Sequence, residues 1–592
     1  MTTRRDEGSA LLLVIAAMTV AMLVVSVALH YGLQNNQHAK RSTAWYQAFA
    51  AAEAGIDDYL ARLNELDTYW QTVDCSNQAL KGATTRANSC GWNSATEPGW
   101  LDVPGSTNAQ FHYDVDTSST SVDGTVDLVA TGRIVGTEQD STRSLQVTLR
   151  RGGFGEFLYY TVYETKDPAD YSNPTEKAYC ARYAWADPKR PDHPTCTNIA
   201  FSGDDVINGP LHTNDTMLLR DNSSRQGPRF KGTVTTSRPS CKTANGPSQA
   251  YKCYTFDTYS SVHPTFDKGI AYREEVEIPE SIGDLRKYVT PGLDPEPPLG
   301  CLYTGPTRIQ FIAPTGSGPA TMKVWSRWSK TLNPGCGNPN SSWPQTVNVP
   351  QNNLIMVQDV PASQAQPSSG ACPAKSIDAT GTWSATGSTT TNGSLPQSGD
   401  YNQRSANPDA NCRYGTVYLD GTLKGRVTIS ADNNIVVVGN VTYQGGQNGT
   451  DALGLVSSNS VQIYHPVTTV CTREDRYDNC VAWGPGANMS RPSSLGGTTF
   501  RDPVLQAAIL TLQHSFEVQE YDVGAGLGKL TIFGTIAQRF RGAVGTSSGT
   551  GYDKNYNYDS RLRYAPPPYF LDPVRSSWGM KTFGEITPRY DD

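Results

Sequence analysis

The chain has 592 residues, of which 18% are charged, with 54 Gly, 38 Pro and 30 Tyr and a formal net charge of −7. That length suits roughly two or three domains, and the Gly, Pro and Tyr content favours short strands and many turns over helices. The acidic balance argues against a nucleic-acid surface as the main design, though not against a local basic patch, and no nucleic acid is expected as a partner.

The first predicted element is a helix. Ser9 to Leu29 reads SALLLVIAAMTVAMLVVSVAL and carries no charge. From Ala10 it gives 20 residues, nearly all apolar, and at about 1.5 Å per residue they reach across a bilayer core of roughly 30 Å. Arg4 and Arg5 precede it, and positive charge on that side keeps the amino end cytoplasmic and the remainder outside. A cleaved secretory signal would have a shorter apolar run and a small-x-small site. Here the run meets no helix breaker before Gly32 and passes into polar, helix-favouring sequence, so one helix is expected over 9–66. Ala44, Ala48, Ala51, Ala52 and Gly55 fall at three- and four-residue spacings, a small-residue face suited to close packing between helices.

Residues 67–105 read as loop. Period-two alternation follows at Phe111–Val115, Val126–Ala130 and Leu145–Leu149, which predicts a small antiparallel sheet within a module over 67–152. From 153 to 592 short apolar pieces recur between Gly and Asn, most regularly at Val417–Leu419, Val427–Ile429, Ile435–Val438, Val441–Tyr443, Leu453–Val456 and Val461–Tyr464. Such spacing suits the coils of a parallel β-solenoid, and it also fits a β-sandwich of hairpins. The expected fold class is therefore mainly β, with a long amino-terminal helix, a small sheet and a large solenoid-like head. Loop insertions are expected near 291–350 and 361–412, where Pro, Ser, Thr, Gly and Asn dominate. Their exposure would make them a contact surface.

The cysteines fall as chain neighbours: Cys75 and Cys90, Cys180 and Cys196, Cys241 and Cys253, Cys301 and Cys336, Cys372 and Cys412, Cys471 and Cys480. An even number in an exported chain predicts disulfides. Sequence does not fix the connectivity; sequential pairing is favoured because each pair brackets one polar loop that has no core of its own. The close pairs of a zinc site are missing.

Motifs for chemistry are few. There is no G-x-x-x-x-G-K-[ST] and no H-E-x-x-H. Gly545-Thr-Ser547-Ser-Gly549 matches a nucleophile elbow in letters, but loop or strand follows where a helix is needed. His212 and Asp215, with Asp204 and Asp205 nearby, sit in a Gly/Asn-rich turn, where such residues usually satisfy backbone groups. Asp553, Asn555, Asn557 and Asp559 have the alternate spacing of a calcium-loop start but lack its Gly and its final Glu; otherwise no cofactor or metal is expected. Trp325, Trp328, Trp343 and Trp383 lie in the loop-rich middle, where aromatic rings stack on sugars or build local cores.

Glu7-Gly8-Ser9 joins the basic leader to the apolar run. This arrangement resembles the class III leader of type IV pilins and type II secretion pseudopilins. The resemblance implies cleavage after Gly8 by a prepilin peptidase, a mature start at Ser9, and a helix that first anchors in the membrane and then packs with other pilins. Major pilins usually carry Glu at the fifth mature position, which is Leu13 here; members without it include subunits at or near the fibre tip. Ala50-Ala-Ala-Glu53-Ala-Gly55 with Leu60 and Leu63 resembles the start of PilX-type minor pilins. NGPLHTND, FKGTVTTS, LGLVSSNSVQIYHPV and the stretch from Arg539 to Phe570 resemble the exported domain behind such leaders in Gram-positive bacteria. The implied protein is a non-enzymatic bacterial minor pilin of the membrane and cell surface, at a tip or low-copy position, acting in assembly initiation or in adhesion to an unknown surface or glycan. The alternatives are an anchored surface protein outside a pilus and a carbohydrate-active β-helix enzyme.

Overall fold

A computed structural model of the chain describes residues 7–590, save 67, 83–88, 93–95, 119, 121–123, 137–140, 171–178, 187–195, 198, 257–261, 293–298, 317, 327–328, 330–332, 339–343, 361–394, 398, 404–413, 547 and 575–577. The chain divides into two compact units, one of residues 1–151 with 577–592 and one of 152–576. The second is thus an insertion in the first, and the head boundary expected at 592 falls instead at 576.

The first unit is a helix on a sheet. The helix runs Glu7–Glu65, 59 residues without a proline, or roughly 90 Å. At its end Arg62 pairs with Asp58 one turn earlier at 2.8 Å. The sheet has strands Leu101–Asp102, Ala109–Asp116, Thr125–Ile134 and Ser141–Arg151 in order, with Trp578–Ile586 on the outside of the last. Every pairing is antiparallel. The core lies between Ile56, Tyr59 and Leu63 of the helix and Phe111, Leu128, Leu145, Val147 and Trp578 of the sheet.

The second unit is built on a large, mostly parallel sheet. Its register stacks like residues into columns. One column reads Cys301, Ile355, Ile429, Leu455, Ile509, Ile536, Tyr159, Leu211, Val234, Ile270. A second reads Ile309, Leu419, Val437, Ile463, Val518. Most of these side chains are buried in one core, because alternate residues of a strand share a face. The hairpin-built sandwich requires antiparallel ladders, and the main ladders here are parallel. An antiparallel annex, Thr307–Ile312 with Thr321–Trp325 and Gln345–Asn348, lies in the stretch expected as a loop insertion near 291–350. The alternation in TRIQFI and TMKVW was hidden there by flanking Gly and Pro.

The order of the first column departs from chain order. Residues 159–272 extend it from Ile536, whereas Cys301 occupies the other end. The chain therefore enters the stack part-way along, runs to one end, and resumes from the opposite end.

Five disulfides form among the described residues: Cys75–Cys90, Cys180–Cys196, Cys241–Cys253, Cys301–Cys336 and Cys471–Cys480. Cys372 and Cys412 lie outside the described residues, as does most of 361–412.

Candidate membrane and assembly helix

The amino-terminal helix has two halves with opposite surroundings. From Leu11 to Leu33 the large apolar side chains, Leu13 among them, are exposed along the helix. This stretch is long and apolar enough to cross a membrane by length and composition. In water such a surface costs free energy along its whole length, so it needs lipid or another apolar surface against it.

The second half carries the small-residue face. Ala44, Ala48, Ala51 and Ala52 are buried, and their partner is the molecule's own sheet. At Gly132 the strand backbone comes so close that a Cβ would lie 2.2 Å from the Ala48 carbonyl oxygen and 2.3 Å from the Ala52 nitrogen. The stripe expected to serve packing between helices is, in this half, spent inside the unit.

Polar contacts lock the helix end. Asp58 accepts a hydrogen bond from the Tyr113 hydroxyl at 3.0 Å, and burial together with this carboxylate pushes the phenol far above its ordinary range. Asn64 accepts from the Trp578 N–H at 2.7 Å and donates to the Trp578 carbonyl at 3.3 Å. One amide thus holds the incoming strand as a neighbouring strand would. Beyond that strand, Arg589 and Tyr590 bind Asp114 at 2.9 and 3.1 Å. Burial favours the neutral acid, but His112, Arg589 and Tyr590 outweigh it and hold Asp114 below the usual carboxylate range.

At the mid-helix, Arg143 lies 3.7 Å above the Trp45 ring and pairs with Glu585 of the final strand. Tyr46 stands edge-on to Trp45 at 4.9 Å, and Phe49 links Trp45 at 6.4 Å to Phe583 at 6.5 Å; Trp45, Tyr46 and Phe583 are exposed. This cluster was missed from sequence because its members come from three distant segments.

Gly8 and Ser9 belong to the helix, which begins at Glu7. His212 and Asp215 are fully buried. His212 bonds Thr235 and Asn214 at 2.9 and 3.0 Å and stacks on Tyr160 and Phe157; burial, then Arg273, pushes its pKa down to about 3. Asp215 accepts the backbone N–H groups of Glu164 and Ala184. Asp204 and Asp205 bind Asn222 and Lys554. All four act as local structural partners.

Asp553, Asn555 and Asn557 lie along the extended strand Asp553–Tyr558, while Asp559 caps the next turn and pairs with Arg561 at 2.6 Å. A straight strand does not wrap their oxygens around one point as a calcium loop does. Among the described residues no cluster of His, Cys, Asp and Glu is suited to a metal. Ser547 lies outside the described residues, and the strand Asp553–Tyr558 follows its turn. Trp325 is buried beneath Arg308; Trp328, Trp343 and Trp383 lie outside the described residues.

No protein-family model matches the chain, and no curated protein matches it. Among solved structures it is similar to the competence-associated pilin ComZ from Thermus thermophilus, at 13% identity. That likeness covers 92% of this chain and 98% of the other, with a TM-score of 0.23. At that score the likeness leaves the function to be argued from the chain's own residues.

Proposed function

We propose that the protein is an exported, membrane-anchored minor pilin, cut after Gly8 by a prepilin peptidase and carried into a pilus or pseudopilus by its amino-terminal helix. The observation that carries this reading is the continuous helix with an exposed apolar half and a second half packed on an antiparallel sheet. The first half suits lipid before assembly and neighbouring helices after it. The second half makes the helix part of a folded module, which a simple signal anchor does not need. The inserted unit is read as a solenoid head, since its parallel columns of aliphatic residues are what stacked coils produce. The five disulfides among the described residues suit an oxidising exterior.

A head of more than 400 residues (152–576) is hard to repeat along a thin fibre. With Leu13 in place of the usual Glu, this favours a tip or low-copy position, with a role in starting assembly or touching a surface.

The test is intact-mass and amino-terminal analysis of protein from native membranes and from sheared surface fibres. A mature start at Ser9 and presence in the fibres are expected. An uncut chain confined to the membrane would overturn the pilin reading and leave an anchored surface protein.

A further inference from the structure

The first column of parallel strands ends at Cys301 on one side and at Ile270 on the other, and its two ends are finished differently. The strand Cys301–Thr304 is buried at all four residues. The Cys301–Cys336 disulfide holds a loop over it, and the Cys336 carbonyl accepts from the Tyr303 hydroxyl at 3.0 Å. Ser329 accepts the Thr304 N–H at 2.8 Å. That end is closed.

The other end is open. The strand Ile270–Tyr272 pairs with Val234–Thr236 and, among the described residues, with no second strand. Val234 donates to the Gly269 carbonyl at 3.4 Å and Arg273 to the Thr236 carbonyl at 3.0 Å, so residues 269, 271 and 273 turn their backbone groups toward that neighbour. Ile270 and Tyr272 alternate with them and turn theirs away. No backbone hydrogen bond reaches those outward groups among the described residues. The core is incompletely covered beside them: Tyr254, Val262, Phe266 and Ile270 pack on it only partly buried, and Phe256 is 46% exposed. An unpaired edge next to exposed apolar side chains is a template for a further strand.

The edge is complementary to itself. A two-fold axis through Ala271 sets Ile270 of each copy opposite Tyr272 of the other, and residues so placed exchange N–H···O=C bonds. The same register sets Lys268 opposite Glu274 of the second copy. Both side chains are exposed. Lys268 makes no ion pair among the described residues, and Glu274 makes one at the surface, with Lys242 at 3.4 Å. The remaining charges of the segment are engaged within the chain: Asp267 with Arg229 at 3.0 Å, Arg273 with Glu156 at 3.2 Å, and Glu275 with the Tyr183 hydroxyl at 3.1 Å.

We propose that the inserted unit associates end to end with a second copy of this chain, by antiparallel pairing of Ile270–Tyr272 across a two-fold axis. Pairing closes both edges at once and leaves neither free, so it stops at a dimer. The strand is short, so the contact is reversible and depends on concentration. The inference goes beyond the pilin reading and does not need it, since every residue used lies in the second unit.

The test is sedimentation equilibrium of the full-length chain in detergent, joined to cysteine cross-linking. A monomer–dimer equilibrium is expected. Lys268→Glu turns both symmetric Lys–Glu contacts into Glu–Glu contacts and is expected to weaken the dimer about tenfold. Adding Glu274→Lys to it restores opposite charges and is expected to restore the dimer. Both positions are exposed, so these variants keep the wild-type melting temperature. In Ala271→Cys each new thiol faces its symmetry mate in a non-hydrogen-bonded pair, with Cα atoms about 4.5 Å apart and within disulfide reach. Mild oxidation is expected to link that variant into dimers and to leave Lys529→Cys, exposed on the strand Lys529–Phe540, unlinked. A chain that stays monomeric at every concentration overturns the proposal. So does a dimer indifferent to Lys268→Glu, as one formed through the apolar helix would be, or a failure of the charge exchange to restore it, or equal cross-linking of the two cysteine variants. Processing at Ser9 is read separately, so failure of the pilin reading and failure of this contact give different results.

Discussion

His212 shows how a residue with the look of a catalytic group is used as core. It packs against two aromatic rings with both ring nitrogens hydrogen-bonded, and burial together with Arg273 favours the neutral imidazole over the charged one. Its pKa is pushed down to about 3, against about 6.5 in an open chain. Below pH 6.5 the unfolded chain binds the proton and the folded one does not, so stability falls with pH over that window. Between pH 6.5 and 4.5 the loss from this residue is about 2–3 kcal/mol. Asp400 acts in the opposite sense: burial raises it to about 6, so its contribution improves as pH falls from 6 towards the ordinary carboxylate range. The measurement is therefore a difference. Urea unfolding of wild type and His212→Gln at the two pH values should give a smaller acid loss in the variant by about that amount. Parallel pH dependences would refute the assignment.

Among elements, the helix and three sheet strands were legible because each carries its own period: an uncharged apolar run, then alternation at Phe111–Val115, Val126–Ala130 and Leu145–Leu149. The closing strand Trp578–Ile586 was not, for it is mostly exposed beyond Trp578 and its place is set by pairing with a strand more than 400 residues earlier. The small residues of the helix were legible as a close-packing face, but their partner was not. Gly132 carries no mark in sequence that distinguishes it from a turn glycine. Its substitution tests that contact. Gly132→Ala should destabilise the first unit by about 1–3 kcal/mol, the usual cost of overpacking. Ala48→Gly should not rescue it, because the atoms met are the helix backbone rather than a side chain. Thermal unfolding of the three variants decides this; rescue by Ala48→Gly would show that the helix reaches the strand through its side chains.

At the scale of the molecule, sequence conveyed the rhythm of the head but not its order. The repeats at 417–464 are neighbours in chain and in space, whereas Tyr159–Tyr163 stacks on Lys529–Phe540, a junction between chain-distant segments. Nothing periodic announces it. Its signature is a buried ion pair, Glu164 with Arg541 at 3.1 Å, both almost fully enclosed. Arg541 also donates to the Ile199 carbonyl at 2.8 Å and lies 3.6 Å over the Phe201 ring, while Gln538 donates to the Tyr159 hydroxyl at 2.8 Å. Arg541 is thus a tie between the two arms of the stack. Arg541→Met leaves Glu164 buried without its cation and should cost about 3–5 kcal/mol. Replacing both partners, Glu164→Gln with Arg541→Met, removes the stranded charge and should recover more than half of that loss. The readout is chemical unfolding together with hydrogen exchange at residues 159–163 and 536–540. In the single variant both segments should lose protection together while 426–431 and 452–457 keep theirs. If the double variant is as unstable as the single one, the pair holds the junction through its geometry, with the stranded charge contributing little. If protection is lost along the whole column at once, the arms unfold as one body and the junction is no weaker than any other step of the stack.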